Sequence, residues 1–160
     1  MGTLELEDIV LDTNVLVHSN SPNSDKFDAA VELVGDLMDS RTSICFDEGA
    51  HPKEANSRSR ILSEYWKNVP GNSLAGQLLA RLFQTQRWRN VSSTIQERHA
   101  RVINQNVPDR SDRVFARVAM NSLEKRLVTH DSTAFHGPCK RKLKSKCDIV
   151  VCAASEVPRT

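Results

Sequence analysis

Short apolar runs that end on a carboxylate alternate with longer amphipathic stretches along this chain, a pattern that predicts strands followed by helices. Asp8 to Leu11 reads as a first strand running into Asp12, and Asn14 to His18 as a short helix behind it. Asn20 to Ser24 has the composition of a turn, after which Ser24 or Asp25 is placed to cap a helix to about Asp39. Its predicted core face gathers Phe27, Ala30, Val31, Val34 and Leu37 or Met38. Ser43 to Phe46 forms a second strand, and the polar run from Asp47 to Ser59, interrupted by Gly49 and Pro52, reads as a loop.

Helices are predicted over 59–67, 73–85 and 93–105. A further one, capped by Ser111 and running to Lys125, sets Phe115, Val118, Ala119 and Ser122 or Leu123 on one face. Leu127 to Thr129 and Cys147 to Cys152 complete the strands. Helices placed between strands demand crossover connections. The expected fold is therefore α/β: one domain over 1–160, a three-layer α/β/α sandwich around a mainly parallel sheet of four to five strands.

Composition narrows the functional classes only a little. The 160 residues carry a formal charge of +2, so attraction for a polyanion has to come from local patches rather than from the overall field. No apolar run approaches the roughly 18 to 20 residues that a bilayer span needs. Met1 to Asp8 is acidic and lacks the features of a secretory leader, which makes a cytoplasmic protein with no membrane partner the expectation. The four cysteines, Cys45, Cys139, Cys147 and Cys152, show no zinc-type spacing and read as free thiols.

Four acids change the picture. Asp12 and Asp131 each end an apolar strand, Asp112 opens a predicted helix, and Glu64 lies in Ile61-Leu62-Ser63-Glu64-Tyr65-Trp66. In an open parallel sheet, groups at the carboxyl ends of neighbouring strands converge on one crevice, where ligands bind. A cluster of carboxylates there suits a hard divalent cation. Packed together without one, the acids raise each other's pKa, so the site is expected to be partly protonated when empty and to tighten with metal.

The strand into Asp12-Thr13-Asn14-Val15-Leu16, the strand and polar loop before Ser63-Glu64-Tyr65, the helix opened by Asp112, and Val128-Thr129-His130-Asp131 leading to Phe135 together resemble a PIN domain. That nuclease fold occurs in toxins of toxin–antitoxin pairs and in RNA-processing enzymes, and the resemblance covers most of the chain. It implies an endoribonuclease in which Asp12, Glu64, Asp112 and Asp131 bind Mg²⁺ or Mn²⁺ and act as the catalytic set, with Asp12 and Asp112 central. Thr13, Asn14 and Thr129 would lend hydrogen-bonding support. Water activated by the ion is then the attacking group, and no side chain has to act as a nucleophile. Glu48 and Glu54 compete with Glu64 for the second acid. A toxin or defence setting, an antitoxin partner and a homodimer are further implications, and an inactive RNA-binding or scaffold protein is the alternative. Phosphatases of the haloacid dehalogenase type also open on a strand into Asp, but they need a second Asp two residues on, where this chain has Asn14.

Basic residues supply candidates for RNA contact. Lys140, Arg141, Lys142, Lys144 and Lys146 crowd one stretch between the fourth acid and the last strand, which reads equally as a backbone-binding segment or a solvated loop. Arg110 and Arg113 flank Asp112 and are candidates to guide phosphate. Arg87-Trp88-Arg89 joins a ring to two cations, as base stacking requires, although packing is the commoner use of Trp. Asp109 is expected in a loop. Strand alternation turns His130 away from Asp131.

Overall fold

The computed structural model describes residues 2–53 and 58–160. Five strands, β1 (Asp8–Leu11), β2 (Ser43–Asp47), β3 (Trp88–Val91), β4 (Arg126–Val128) and β5 (Val150–Cys152), form one sheet in the order β3-β2-β1-β4-β5. Every pairing is parallel, with Ile9 opposite Ile44 and Leu11 opposite Val128. β1 is buried along its whole length because it lies at the centre of the sheet, which is why it reads as an unbroken apolar run.

The described helices are α1 (Thr13–His18), α2 (Phe27–Asp39), α3 (Arg60–Asn68), α4 (Leu74–Gln84), α5 (Glu97–Asn106), α6 (Arg110–Asn121) and α7 (Gly137–Cys147). α1 packs on α2 and α3, and α2 on α4, whereas α5 packs on α6 and α7. These two groups are the outer layers, so the α/β/α expectation holds, with a sheet that is wholly rather than mainly parallel. The chain leaves β1 for β2 on one side and later returns to β4 on the other. The crevice between the carboxyl ends of β1 and β4 is therefore the topological switch point at which such sheets bind ligands.

Several boundaries differ from the expectation, each for a local reason. The predicted helix over 93–105 begins only at Glu97, because Ser93 N and Oγ donate to Glu48 and the Ser92 and Thr94 carbonyls accept from Asn121, which holds the segment before it out of helical bonding. α2 starts at Phe27 with Lys26 at its N-cap, since the Ser24 hydroxyl accepts from Lys26 N in the preceding turn instead of capping. Its core face also rotates to Ala30, Leu33, Val34 and Leu37, leaving Phe27 and Val31 half-buried. Asp109, expected in a loop, caps α6 through Ser111 N, displacing Ser111 from that role.

The segment with five cations is a helix rather than a flexible loop. Cys139, Leu143 and Cys147 recur every four residues and bury one face of α7, His136 accepts from Cys139 N at its start, and the cations take the outer face. All four cysteines are buried and free of disulfides. No described helix is long and apolar enough to cross a membrane.

Candidate active site

Asp12 stands one residue past β1, at the N-cap of α1, and is almost wholly buried. Its Oδ2 accepts from Thr129 Oγ1 at 2.7 Å and from Asn14 Nδ2 at 3.2 Å. Asn14 Oδ1 accepts from His130 N at 3.0 Å, which fixes the amide with its nitrogen towards the carboxylate. Thr129 Oγ1 in turn accepts from Asp131 N at 3.0 Å. The ends of β1 and β4 are thus tied by a network of Asp12, Asn14 and Thr129, two of them the expected supporting residues.

Asp131 uses one oxygen to accept from Thr133 N and Ala134 N and so closes a turn, near enough to Asp12 to repel its charged form. Glu64 comes from the middle of α3 and Asp112 from the first turn of α6, both half-buried. The Thr13 hydroxyl is buried without a well-formed hydrogen bond, yet lies near enough to Glu64 to favour its charged form.

The four acids feel one another. Asp12 is pushed up to about 6, chiefly by burial, against the pull of Thr129, with added repulsion from Glu64 and Asp131. Asp112 is likewise raised to about 6 by burial and then by Asp12, Asp109 and Asp131. Glu64 is raised by burial and by Asp112. Four carboxyls from four separate places in the chain therefore share one electrostatic neighbourhood. Among the described residues, however, no group of three or more His, Cys, Asp or Glu stands ready to hold a metal ion.

Of the two acids that compete with Glu64, Glu48 alone lies among the described residues. Glu48 is held by Ser93, whose N and Oγ both donate to it, and its carboxyl is lowered chiefly by that hydroxyl. Glu54 lies outside the described residues. His130 lies beyond the end of β4, so strand alternation does not orient it. Its ring is instead engaged by His18, Nδ1 to Nδ1 at 2.8 Å, and by Ala154 N, and burial then the neighbouring His18 lower it to about 4.

Two residues that pattern alone did not single out build the scaffold. Asp47 ends β2 as Asp12 follows β1, but its carboxylate accepts from Ser59 Oγ, Arg60 N and Ile61 N and so pins the start of α3. Tyr65 is fully buried and its hydroxyl donates to the Leu11 carbonyl, locking α3 to the end of β1. A strand ending on Asp and an N-cap Ser before a helix were the available signals.

The basic candidates divide. Arg113 is committed to structure, donating from Nε to Val107 O and from Nη2 to Asn104 O and Pro108 O. Arg110 is exposed at the start of α6. Lys140, Arg141, Lys142, Lys144 and Lys146 sit on α7, with Lys144 paired to Asp148 at 2.7 Å. Arg87-Trp88-Arg89 is structural throughout: Arg87 donates to the Leu37 and Met38 carbonyls, Arg89 pairs with buried Asp8 at 2.7 Å, and Trp88 packs on Phe46 and Phe83.

No protein-family model matches the chain, and no curated protein matches it. Among solved structures it is similar to VapBC2 from Rickettsia felis bound to a DNA fragment from their promoter, at 14% identity and a TM-score of 0.42, over 91% of this chain and 98% of that one. A likeness that low leaves the chemistry to this chain's own residues.

Proposed function

We propose that the chain is a PIN-like, metal-dependent endoribonuclease whose Asp12 and Asp112 hold Mg²⁺ or Mn²⁺, with Glu64 and Asp131 completing the acidic wall. The observation that supports this reading is the place of Asp12 at the switch point of a parallel sheet, where its carboxyl and that of Asp112 are raised first by burial and then by neighbouring acids. Such an arrangement makes the charged form costly, a cost that a bound cation would offset. The donors are all oxygen, which suits a hard divalent ion. Bound there, the ion would lower the pKa of water and stabilise charge on phosphoryl oxygens.

The chain's own residues do the positioning. Thr129 and Asn14 fix the direction of Asp12, Tyr65 holds the strand end beneath it, and Asp47 sets where α3 begins and hence where Glu64 stands. Below about pH 6 Asp12 and Asp112 take up protons, so cation affinity and cleavage should fall together as pH drops through that value. An antitoxin partner and a homodimer belong to this reading as extensions of the resemblance.

Incubation of a mixed RNA pool with Mg²⁺ or Mn²⁺ tests the proposal. The wild type should cut, EDTA should abolish cutting, and Asp12→Asn should reduce it by ~100-fold or more, the upper scale of losses around metal sites. Equal cleavage by the variant contradicts the assignment. A second reading, an RNA-binding or scaffold protein without turnover, has support from the lack of a ready metal-holding group among the described residues. RNA binding with no cation-dependent cutting would favour it.

A further inference from the structure

Beside the acids, on the β2 side, opens a cleft of about 740 Å³ lined by Arg58, Arg60, Arg110, Arg113 and Arg117. Asp47 and Glu48 are the acids in its lining, and both are already occupied, Asp47 by the start of α3 and Glu48 by Ser93. Two carboxylates against five guanidinium groups leave the wall cationic, even with Glu48 drawn electrostatically to Arg60. Arg110, Arg113 and Arg117 follow one another at spacings of three and four on α6, which aligns them on a single face. Asp112 sits on the same helix, and Arg60 is one turn before Glu64 on α3, so the cleft and the acidic wall are built on the same two elements. α3 and α6 are in contact.

The arginines are not equivalent. Arg113 is spent on three carbonyls and Arg117 reaches Asn104 Oδ1 at 3.4 Å. Arg58 and Arg110 are exposed and have no hydrogen-bond or ion-pair partner among the described residues. Free guanidinium forks on a wall of fixed ones suit a chain of phosphates, which offers repeated bidentate acceptors. A single small anion would fill only a fraction of the 740 Å³ cleft.

We propose that this cleft seats the phosphate backbone flanking the reacting bond, so that the site takes a single-stranded polynucleotide several residues long and discriminates against dinucleotides. The choice of polymer rests on the nuclease reading, but the length requirement has its own test. Fluorescence anisotropy in EDTA, where no cation-dependent cutting occurs, would follow a labelled 12-nucleotide RNA and the matching dinucleotide. The wild type should bind the 12-mer at least tenfold more tightly. Arg58→Ala/Arg110→Ala should weaken 12-mer binding about tenfold and flatten the dependence of log affinity on log salt by roughly 1.4, about 0.7 for each lost phosphate contact. Arg58→Lys/Arg110→Lys, which keeps the charge, should recover most of the affinity. Unchanged binding in the alanine variant overturns the inference, as does a loss confined to Lys142→Ala/Lys146→Ala on α7. So does equally tight, arginine-dependent binding of a polyglutamate peptide. Length-dependent binding without cleavage would sink the nuclease reading alone, whereas cleavage with unaltered binding in the alanine variant would sink the cleft alone.

Discussion

Asp12 is the residue at which stability and chemistry pull apart. Folded, its carboxyl holds a proton up to about pH 6, against a value near 4 in the unfolded chain. The folded state therefore carries the extra proton between those values, and stability falls as pH rises through that window. The penalty is absent below about pH 4 and complete above about pH 6. Asp12→Asn, which can still accept from Thr129, should raise stability at pH 7.5 without cation by ~1–3 kcal/mol, since two pKa units correspond to about 3 kcal/mol at most. That is a rise in Tm of roughly 2–10 °C, and it should vanish near pH 4. His18 and His130 are both depressed, so they contribute a slope of opposite sign below about pH 6.5, but that contribution cancels when wild type and variant are compared at each pH. Thermal unfolding in EDTA reads the difference, and a lower Tm for the variant at pH 7.5 would contradict burial and repulsion as the state of this carboxyl.

At the scale of elements, what was legible in the sequence depended on where the partners of each side chain lie. β1, β2 and β4 are central, and their apolar runs announce themselves. β3 does not announce itself because it is an edge strand, and Arg89 within it and Arg87 just before it find partners only in the folded molecule, in Asp8 and in the Leu37 and Met38 carbonyls. α7 read equally as a loop because its cations outnumber the Cys139, Leu143 and Cys147 stripe that buries it. The acids at strand and helix ends could be proposed from pattern. The contacts that aim them could not, since Tyr65 looks like any helical core residue until its hydroxyl meets the Leu11 carbonyl 54 positions away. Tyr65→Phe removes that donor and should cost ~1–3 kcal/mol, the penalty for an abandoned buried hydrogen bond. It should also lower cleavage more than stability alone explains, because β1 and α3 carry two of the four acids. An unchanged Tm and rate would show that the link is dispensable.

Seen whole, the molecule gathers its candidate chemistry at the carboxyl edge of the sheet and ties its chain ends together at the other. Asp8 at the start of β1 accepts from Leu123 N and Glu124 N and pairs with Arg89, while Leu4 and Arg159 form an antiparallel bridge and Arg159 pairs with Asp36 at 2.6 Å. Those bonds fix the ends of the chain away from the carboxyl edge, where Asp12 follows β1 and the arginine cleft opens on the neighbouring α3 and α6. The strand order made that convergence possible and could not be read from any one segment. Whether the acids act as a cation site is decided most directly by diffraction from crystals soaked in Mn²⁺. An anomalous peak is expected between β1 and α6, bonded to carboxylate oxygens of Asp12 and Asp112 and lost in Asp12→Asn. A map with manganese elsewhere, or none near these two residues at pH 7.5, would contradict it.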